Sequence, residues 1–249
     1  MGRASRSKRQ RQEERARKAI RHVSGQRRSR TPLVVVGVVL VVVLAFGLGW
    51  WVNRSGAEPE VLPTYQASVA GAVVTAGSSA APVTVDVYED YLCPHCERFE
   101  RRYKGQITEA LNEGRIMVRY HQIAILDEGT KPAGYSTRAA NAALCAADAG
   151  IFPAYHERLF DEQPPQGGPG LSDDQLVAMG TELGAPPAFE QCVRSGQHVA
   201  RVAAETQAAE SNPALRNSLG LFGTPTVTVD GQPVDLDDRQ WLQKAISGR

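Results

Sequence analysis

The sequence predicts an α/β domain with an inserted helical segment, preceded by one N-terminal membrane-spanning helix. Three observations support this fold class. Short runs of β-branched and apolar residues, at 83–88, 116–123 and 226–229, have the length and composition of buried strands. The region 131–217, which precedes the last of these runs, is rich in alanine and contains no convincing strand. Before all of them, a basic arm leads into a long uncharged stretch, residues 33–52.

Residues 1–31 form the basic arm. They carry 12 of the 28 basic residues and two of the 27 acidic residues, so the arm has a net charge of about +10 and the rest of the chain about −9. Such an arm would suit nucleic acid. No aromatic or glycine-rich site accompanies it, however, and an apolar stretch follows it directly, so we expect no nucleic-acid partner.

Residues 32–52 are predicted to be a transmembrane anchor. The 20 uncharged residues from Leu33 to Val52, at about 1.5 Å per residue in a helix, are long enough to cross the hydrocarbon core of a bilayer. The basic arm before them predicts a single-pass protein of the cell membrane with a cytoplasmic N-terminus and an extracytoplasmic domain. A cleaved signal peptide is the alternative, because Ser55–Ala57 loosely suits a cleavage site. The length of the apolar stretch favours the uncleaved anchor.

Residues 53–75 are predicted to be a linker with an edge strand at its end. Pro, Gly and charged residues without period continue to residue 64 and are typical of a linker. Tyr65–Ala76 alternates weakly, which indicates an edge strand before the turn at 77–80. Residues 76–249 then form the main domain.

The residues with the clearest chemical meaning are Cys93-Pro94-His95-Cys96. They follow the strand predicted at Val83–Tyr88 and precede a charged run typical of a helix. A thiol at a helix N-terminus lies near unpaired N–H groups and the positive end of the helix dipole, which favour the thiolate. Pro94 suits the first helical position. His95, when protonated, would stabilise the thiolate further, so the pair should prefer to give its disulfide away.

Two other interpretations of this pair, and one other interpretation of His95, remain open. Half a zinc site is one, although the remaining cysteines, Cys145 and Cys192, are 47 positions apart and form no second close pair. An inert disulfide between Cys93 and Cys96 is another, although so small a loop adds little stability. His95 itself could be a solvated surface residue.

Residues 81–96, ending in Glu-Asp-Tyr-Leu-Cys-Pro-His-Cys, and the segment Gly223–Val227 resemble the DsbA-like branch of the thioredoxin-fold thiol–disulfide oxidoreductases. The resemblance covers about residues 75–249. It implies a thioredoxin fold in which residues 131–217 are the helical insertion beside the active site. It also implies roles for four residues: Cys93 attacks, Cys96 resolves the mixed disulfide, and Pro225, preceded by Thr224, is a cis-proline that faces the two cysteines.

The remaining elements are predicted from local patterns. Ile116–Ile123 should pair in parallel with the first strand, with His121 as an ordinary strand residue. Asp230-Gly231 predicts a hairpin between the strand at 226–229 and residues 232–234. We expect helices at Ser136–Ala149, Pro153–Asp161, Ser172–Leu183, Pro187–Ala209 and Asp237–Ile246. One aromatic and apolar stripe lies along the second of these helices and the residue before it, and we interpret it as core. It comprises Phe152, Tyr155, Leu159 and Phe160.

Cys145 and Cys192 lie inside predicted helices of the insertion. An oxidising compartment favours paired cysteines, and only a Cys145–Cys192 bond leaves the Cys93–Cys96 pair intact. We expect a structural disulfide. A second redox couple is the alternative, although neither cysteine begins a helix.

Val87 departs from the thioredoxin pattern. Many thioredoxin-fold enzymes have a buried acid six residues before the first cysteine, where it assists proton transfer to the resolving thiol. Asp86 is adjacent, but strand alternation should turn it to the other face of the sheet. Proton transfer would then depend on Glu89, Asp90, His95 or water, and the sequence does not select among them.

The sequence therefore predicts a membrane-anchored, extracytoplasmic thiol–disulfide oxidoreductase that donates disulfides to reduced exported proteins. We expect no cofactor and no metal, and a quinone-linked membrane partner that reoxidises the enzyme. A disulfide reductase or isomerase is the alternative within this class. A chaperone-like binding module without turnover is the alternative outside it.

Overall fold

The computed structural model describes residues 61–248. The predicted basic arm and membrane span, and most of the linker, lie outside the described residues. The strands are β1 (Ala67–Ala70), β2 (Val73–Ala76), β3 (Val83–Glu89), β4 (Ile116–Gln122), β5 (Thr226–Val229) and β6 (Gln232–Pro233). The α-helices are α1 (Pro94–Asn112), α2 (Tyr135–Asp148), α3 (Phe152–Asp161), α4 (Asp173–Glu182), α5 (Pro187–Ser195), α6 (Val199–Ser211) and α7 (Trp241–Ser247). None of the helices in residues 61–248 has both the length and the apolar character that a bilayer span requires.

The strands form one mixed sheet in the order β1-β2-β4-β3-β5-β6. Strands β3 and β4 are parallel, as predicted, and α1 connects them; the other neighbours are antiparallel. Strand β3 is central and has neighbours on both edges, so Val85 and Val87 are fully buried, and Asp86 is nearly so. This central position explains the continuous apolar character of the segment. It also places the C-terminal end of β3, where Cys93 follows, in the middle of the domain.

Between β4 and β5 the described residues form five α-helices and two short 3-10 turns, and no strand. The α/β class with a helical insertion is thus confirmed. The aromatic and apolar face of α3 is core, as predicted, because its four residues are at most 3% exposed. Phe160 packs on Tyr91 with ring centroids 4.9 Å apart, and Phe152 packs on Tyr120 of β4 at 5.6 Å. The insertion is therefore held directly against the sheet and the loop after β3.

Three predicted boundaries were wrong. The single edge strand expected at 65–76 is a hairpin of β1 and β2, which Gly71 allows by taking a positive φ of 64°. The single helix expected at Pro187–Ala209 is two helices, because Gly196, also at a φ of 64°, ends α5 in the left-handed conformation. The last helix begins at Trp241 rather than at Asp237.

A disulfide joins Cys145 of α2 to Cys192 of α5, with a sulfur–sulfur distance of 2.01 Å. Both cysteines are buried, and each lies inside its helix rather than at its start. The bond cross-links two helices of the insertion that are 47 residues apart in the chain.

Candidate active site

The predicted strand–turn–helix places Cys93 at the N-cap of α1 and Pro94 at its first turn. The carbonyl oxygen of Cys93 accepts the first helical hydrogen bonds, from the N–H groups of Cys96 at 3.0 Å and Glu97 at 3.2 Å. Proline has no N–H to leave unpaired at this position, so the sequence is suited to starting the helix immediately after the first cysteine. Both thiols of the pair are free in this structure. Cys93 is 5% exposed and Cys96 is fully buried.

The surroundings of Cys93 favour its thiolate. A hydrogen bond from the Cys96 thiol is the main reason that the pKa of Cys93 falls to about 5, against the opposing effect of burial. The Thr224 side chain and the backbone N–H groups of Cys96 and His95 donate further hydrogen bonds to the sulfur. Hydrogen bonds to a charged group stabilise that form. Cys93 therefore has the properties of an attacking nucleophile and of a good leaving group.

The imidazole of His95 contacts an arginine of the same helix. Its ring is exposed, and Nη2 of Arg98 lies 2.8 Å from its Nδ1 atom. A guanidinium can only donate, so Nδ1 of His95 accepts this hydrogen bond. His95 contributes to the thiolate through its backbone N–H. The expectation that a protonated imidazole stabilises the sulfur stays a prediction.

Cys96 has the opposite environment. Burial is the largest cause that raises the pKa of this thiol well above its usual value, and the hydrogen bond that it donates to Cys93 and the charge of Glu89 add to the effect. The two sulfurs of one motif thus differ strongly in acidity. At neutral pH the reduced pair should hold one proton, on Cys96, and one negative charge, on Cys93.

This difference predicts the pH dependence of alkylation. Iodoacetamide should label reduced Cys93 with half-maximal rate near pH 5, because its pKa is lowered to about 5, whereas a free cysteine reaches half-maximal rate near pH 8.5. Cys96→Ala removes the main hydrogen-bond donor and should shift the midpoint upwards, while Cys96→Ser keeps a donor and should shift it less. A wild-type midpoint near pH 8 would contradict this account of the site.

The segment before β5 brings Thr224 and Pro225 to the same sulfur. The Thr224–Pro225 peptide bond is cis, and Cys93 Sγ lies 3.2 Å from the carbonyl oxygen of Thr224. These residues are separated by 131 positions in the chain. The antiparallel pairing of β5 with β3 holds them together, since the start of β5 lies beside the end of β3.

Asp90 organises the turn between β3 and Cys93. Its buried carboxylate accepts hydrogen bonds from the backbone N–H of Leu92 at 2.8 Å and of Leu126 at 2.9 Å. The hydroxyl of Ser136, at the start of α2, donates a third at 2.6 Å. Burial raises the pKa of Asp90 to about 6 in spite of these bonds. Asp90 therefore ties the motif to the helical insertion, which the sequence did not predict.

A second buried group of charges lies on the Cys96 side of the motif. His156 of α3 bonds through Nε2 to Glu89 Oε1, and its Nδ1 atom is 4.0 Å from Glu100 Oε2. Burial opposes the charged imidazole, but the acidic side chains of Glu89 and Glu100 outweigh it and raise the pKa of His156. Burial also raises the pKa of Glu100, and the charge of His156 counteracts this effect. The charge of Glu89 also acts on Cys96, where it helps to raise the pKa of the thiol.

The two contacts of His156 in this cluster differ, because the one with Glu89 is a hydrogen bond and the one with Glu100, at 4.0 Å, is too long for a hydrogen bond. The two carboxylates approach different nitrogens of one imidazole ring, and one donor atom from each of Glu89, Glu100 and His156 lies within 4.8 Å of the other two. The second oxygen of Glu89 has no hydrogen-bond partner among the described residues.

Asp86 faces away from the cysteines, as strand alternation predicted. Its carboxylate accepts hydrogen bonds from Arg119 Nη2 at 2.8 Å and from the Thr228 hydroxyl at 3.1 Å, and His121 Nε2 is 3.1 Å away. His121 also bonds to Glu205 at 2.7 Å. His121 is thus a strand residue in a structural network, as expected, and Val87 on the opposite face is fully buried.

A groove runs beside the motif, between α1 and the cis-proline segment. Its volume of about 630 Å³ is sufficient for several side chains of a bound peptide. It is lined by His95, Arg98, Phe99, Arg101, Arg102, Tyr103, Thr224, Pro225 and Leu236. An extended substrate could therefore contact the backbone of Thr224 next to Cys93 and place its side chains along α1.

Comparison with curated proteins gives relatives of two kinds. The chain is 32% identical over 179 residues to the serine/threonine-protein kinase PknE of Mycobacterium tuberculosis, covering 70% of this chain and 31% of that kinase. The chain thus spans about a third of the length of this relative. It is 24% identical over 194 residues to Disulfide bond formation protein D of Bacillus subtilis, covering 74% of this chain and 81% of that protein.

Solved structures give a consistent result. Reduced DsbA from Mycobacterium tuberculosis is 28% identical, with a TM-score of 0.61 over 71% of this chain and 91% of that one. MdbA from Corynebacterium diphtheriae, a thiol-disulfide oxidoreductase, is 26% identical, with a TM-score of 0.64 over 78% of this chain and 99% of that one. A family model described as thioredoxin matches residues 70–247. Because that match covers more than two thirds of the sequence and the solved relatives are of the DsbA type, the chain belongs to the thioredoxin family and is a DsbA-like member of it.

Proposed function

We propose that this protein is a thiol–disulfide oxidase that donates the Cys93–Cys96 disulfide to reduced proteins. The single observation that carries the proposal is the opposite effect of the structure on the two thiols, which lowers the pKa of Cys93 to about 5 and raises that of Cys96 well above its usual value. A stabilised thiolate favours the reduced form of the pair. The disulfide is correspondingly easy to give away.

The reaction has two exchange steps. A substrate thiolate attacks Cys93 Sγ of the oxidised enzyme, the Cys93–Cys96 bond breaks, and Cys96 leaves with the electron pair and takes up one proton. The second substrate thiolate then attacks the other substrate sulfur, which is bonded to Cys93 in the mixed disulfide. Cys93 leaves as a thiolate, which its low pKa of about 5 favours. One turnover converts two substrate thiols to a disulfide, reduces the enzyme by two electrons and releases one net proton.

The cellular setting is also part of the proposal. A basic arm before an uncharged stretch of 20 residues supports a single-pass anchor with the catalytic domain outside the cytoplasm, and the Cys145–Cys192 bond suits an oxidising compartment. Since each turnover leaves the enzyme reduced, it needs an electron acceptor, for which we propose a quinone-linked membrane protein. Labelling of Cys93 in intact cells by a membrane-impermeant maleimide tests the topology, and protection until lysis would contradict it.

The reduction potential tests the direction of the reaction. The attacking thiol of thioredoxin has a pKa of about 7, and the reduction potential of thioredoxin is about −270 mV. Each pKa unit by which the attacking thiol is lowered further raises the reduction potential by about 30 mV at pH 7. The pKa of Cys93, about 5, therefore predicts about −210 mV. For two thiols whose disulfide has a reduction potential of about −300 mV, the equilibrium constant for oxidation by this pair would be about 1000. Equilibration with glutathione measures the potential, and a value at or below about −270 mV would indicate a reductase instead.

Equilibration with glutathione at a series of pH values provides a second test. The potential falls as pH rises, by about 30 mV per pH unit when reduction takes up one proton and by about 59 mV when it takes up two. The slope should change from the larger to the smaller value near pH 5, the pKa of Cys93. A slope of about 59 mV up to pH 8 would mean that both thiols are protonated in the reduced enzyme.

A further inference from the structure

One wall of the groove beside the motif is strongly basic. Arg98, Arg101 and Arg102 of α1 line it, and no acidic residue does. The opposite wall includes Thr224, whose carbonyl oxygen is 3.2 Å from Cys93 Sγ. The basic wall therefore borders the position where a substrate must approach the nucleophile.

These charges are only partly neutralised by the protein itself. Arg101 pairs with Glu97, and Arg98 donates to Nδ1 of His95. Within residues 61–248, no carboxylate pairs with Arg98 or Arg102. The contrast with the rest of the chain is sharp, since residues 32–249 have a net charge of about −9.

The spacing of the arginines has a cost for the helix. Arg98 is three residues from Arg101 and four from Arg102, so like charges are neighbours on one helix surface, which destabilises a helix. A bound partner with negative charges would offset this repulsion. The floor of the groove is apolar and aromatic, with Phe99, Tyr103 and Leu236, so the partner should combine acidic and apolar side chains.

We propose that the groove selects reduced substrates in which acidic residues flank the attacking cysteine. The inference rests on the proposed function, because it concerns the substrates of that same site. Arg98, Arg101 and Arg102 are then specificity-determining residues, which attract acidic segments and orient them along α1. Asp235 and Asp237 are exposed on either side of Leu236 at the other wall, so the acidic side chains should face α1.

The test uses the full-length oxidised protein and three reduced peptides. Each peptide has two cysteines, and the peptides differ only in whether Glu, Gln or Lys flanks the first cysteine. We expect kcat/KM for the Glu peptide to exceed that for the Lys peptide about five- to tenfold at low salt, since each exposed ion pair contributes a modest factor. The preference should shrink as salt shortens the screening length to about 3 Å at 1 M.

Variants locate the preference on α1. Arg101→Gln with Arg102→Gln should reduce the Glu/Lys ratio to about two, and Arg102→Glu should reduce it further or reverse it. Arg194→Gln is the matched control, because Arg194 pairs with Asp174 and Glu190 in the helical insertion and does not line the groove. Comparing the ratio between variants removes the effect of neighbouring charges on the thiol acidity of the peptide itself.

The outcomes separate the two proposals. If none of the peptides is oxidised, the proposed function is wrong. If all three are oxidised at equal rates, the function stands and this inference is wrong. An acidic preference that the Arg101 and Arg102 variants leave unchanged, or that Arg194→Gln lowers equally, would also overturn the assignment to the groove.

Discussion

Replacing Cys93 with serine should abolish disulfide transfer, by at least about a thousandfold in rate. A serine hydroxyl stays protonated near neutral pH and cannot form a mixed disulfide, whereas the thiolate of Cys93 is stabilised by hydrogen bonds from Cys96, Thr224 and the start of α1. The measurement is oxidation of a reduced model peptide with two cysteines. Retained activity in Cys93→Ser would mean that another group, such as the Cys145–Cys192 pair, transfers the electrons.

The companion variant Cys96→Ser should give a different result. It keeps the nucleophile but removes the resolving thiol, so Cys93 should form mixed disulfides that cannot be resolved within the enzyme. Such species should accumulate with oxidised substrates, run as larger bands on a non-reducing gel, and disappear with dithiothreitol. If both variants bound substrate proteins as the wild type does, and Cys96→Ser formed no mixed disulfide, a chaperone-like binding module would be the better interpretation.

Removing the disulfide between α2 and α5 should lower the stability of the protein more than the other variants proposed above. Cys145→Ala with Cys192→Ala opens a loop between residues 47 positions apart and should lower the free energy of unfolding by about 4 kcal/mol in the chain-entropy model. For a domain of this size that corresponds to a fall in Tm of about 8 to 16 °C. Thermal unfolding with the Cys93–Cys96 pair held in one redox state measures it.

Single variants provide the control for this experiment. Cys145→Ala alone should destabilise the protein nearly as much as the double change, because one bond is lost in either case. Well below the Tm, the double variant should oxidise peptides at about the wild-type rate. Loss of transfer without loss of stability would instead favour a second redox couple at Cys145–Cys192.

The parts of the fold that could be predicted from sequence are those with strong local causes. The run Val83–Tyr88 is β-branched and apolar, Pro94 suits a first helical turn, and Asp230-Gly231 suits a hairpin with positive φ angles, which the structure has at 49° and 80°. Each of these signals lies within a few residues of the element that it predicts. The broken helix at Gly196 was missed because a single glycine inside an apparent helix does not by itself end it.

The parts of the site that were missed depend on contacts across the chain. His156 meets Glu89 across 67 residues, and Ser136 meets Asp90 across 46. No local pattern indicates which of many acids will be enclosed with which histidine, since burial and pairing follow from how α2 and α3 pack on the sheet.

The sequence by itself determined that a Cys-Pro-His-Cys motif would stand where a buried strand passes into a helix, and that a Thr-Pro pair would precede a later strand. Propensity and spacing along the chain suffice for such statements. Only the tertiary structure decided how acidic each sulfur is, because one thiol is enclosed and donates its hydrogen bond to the other. The tertiary structure also decided which charges surround the pair, because burial and distance, rather than order along the chain, control the interaction of ionisable groups.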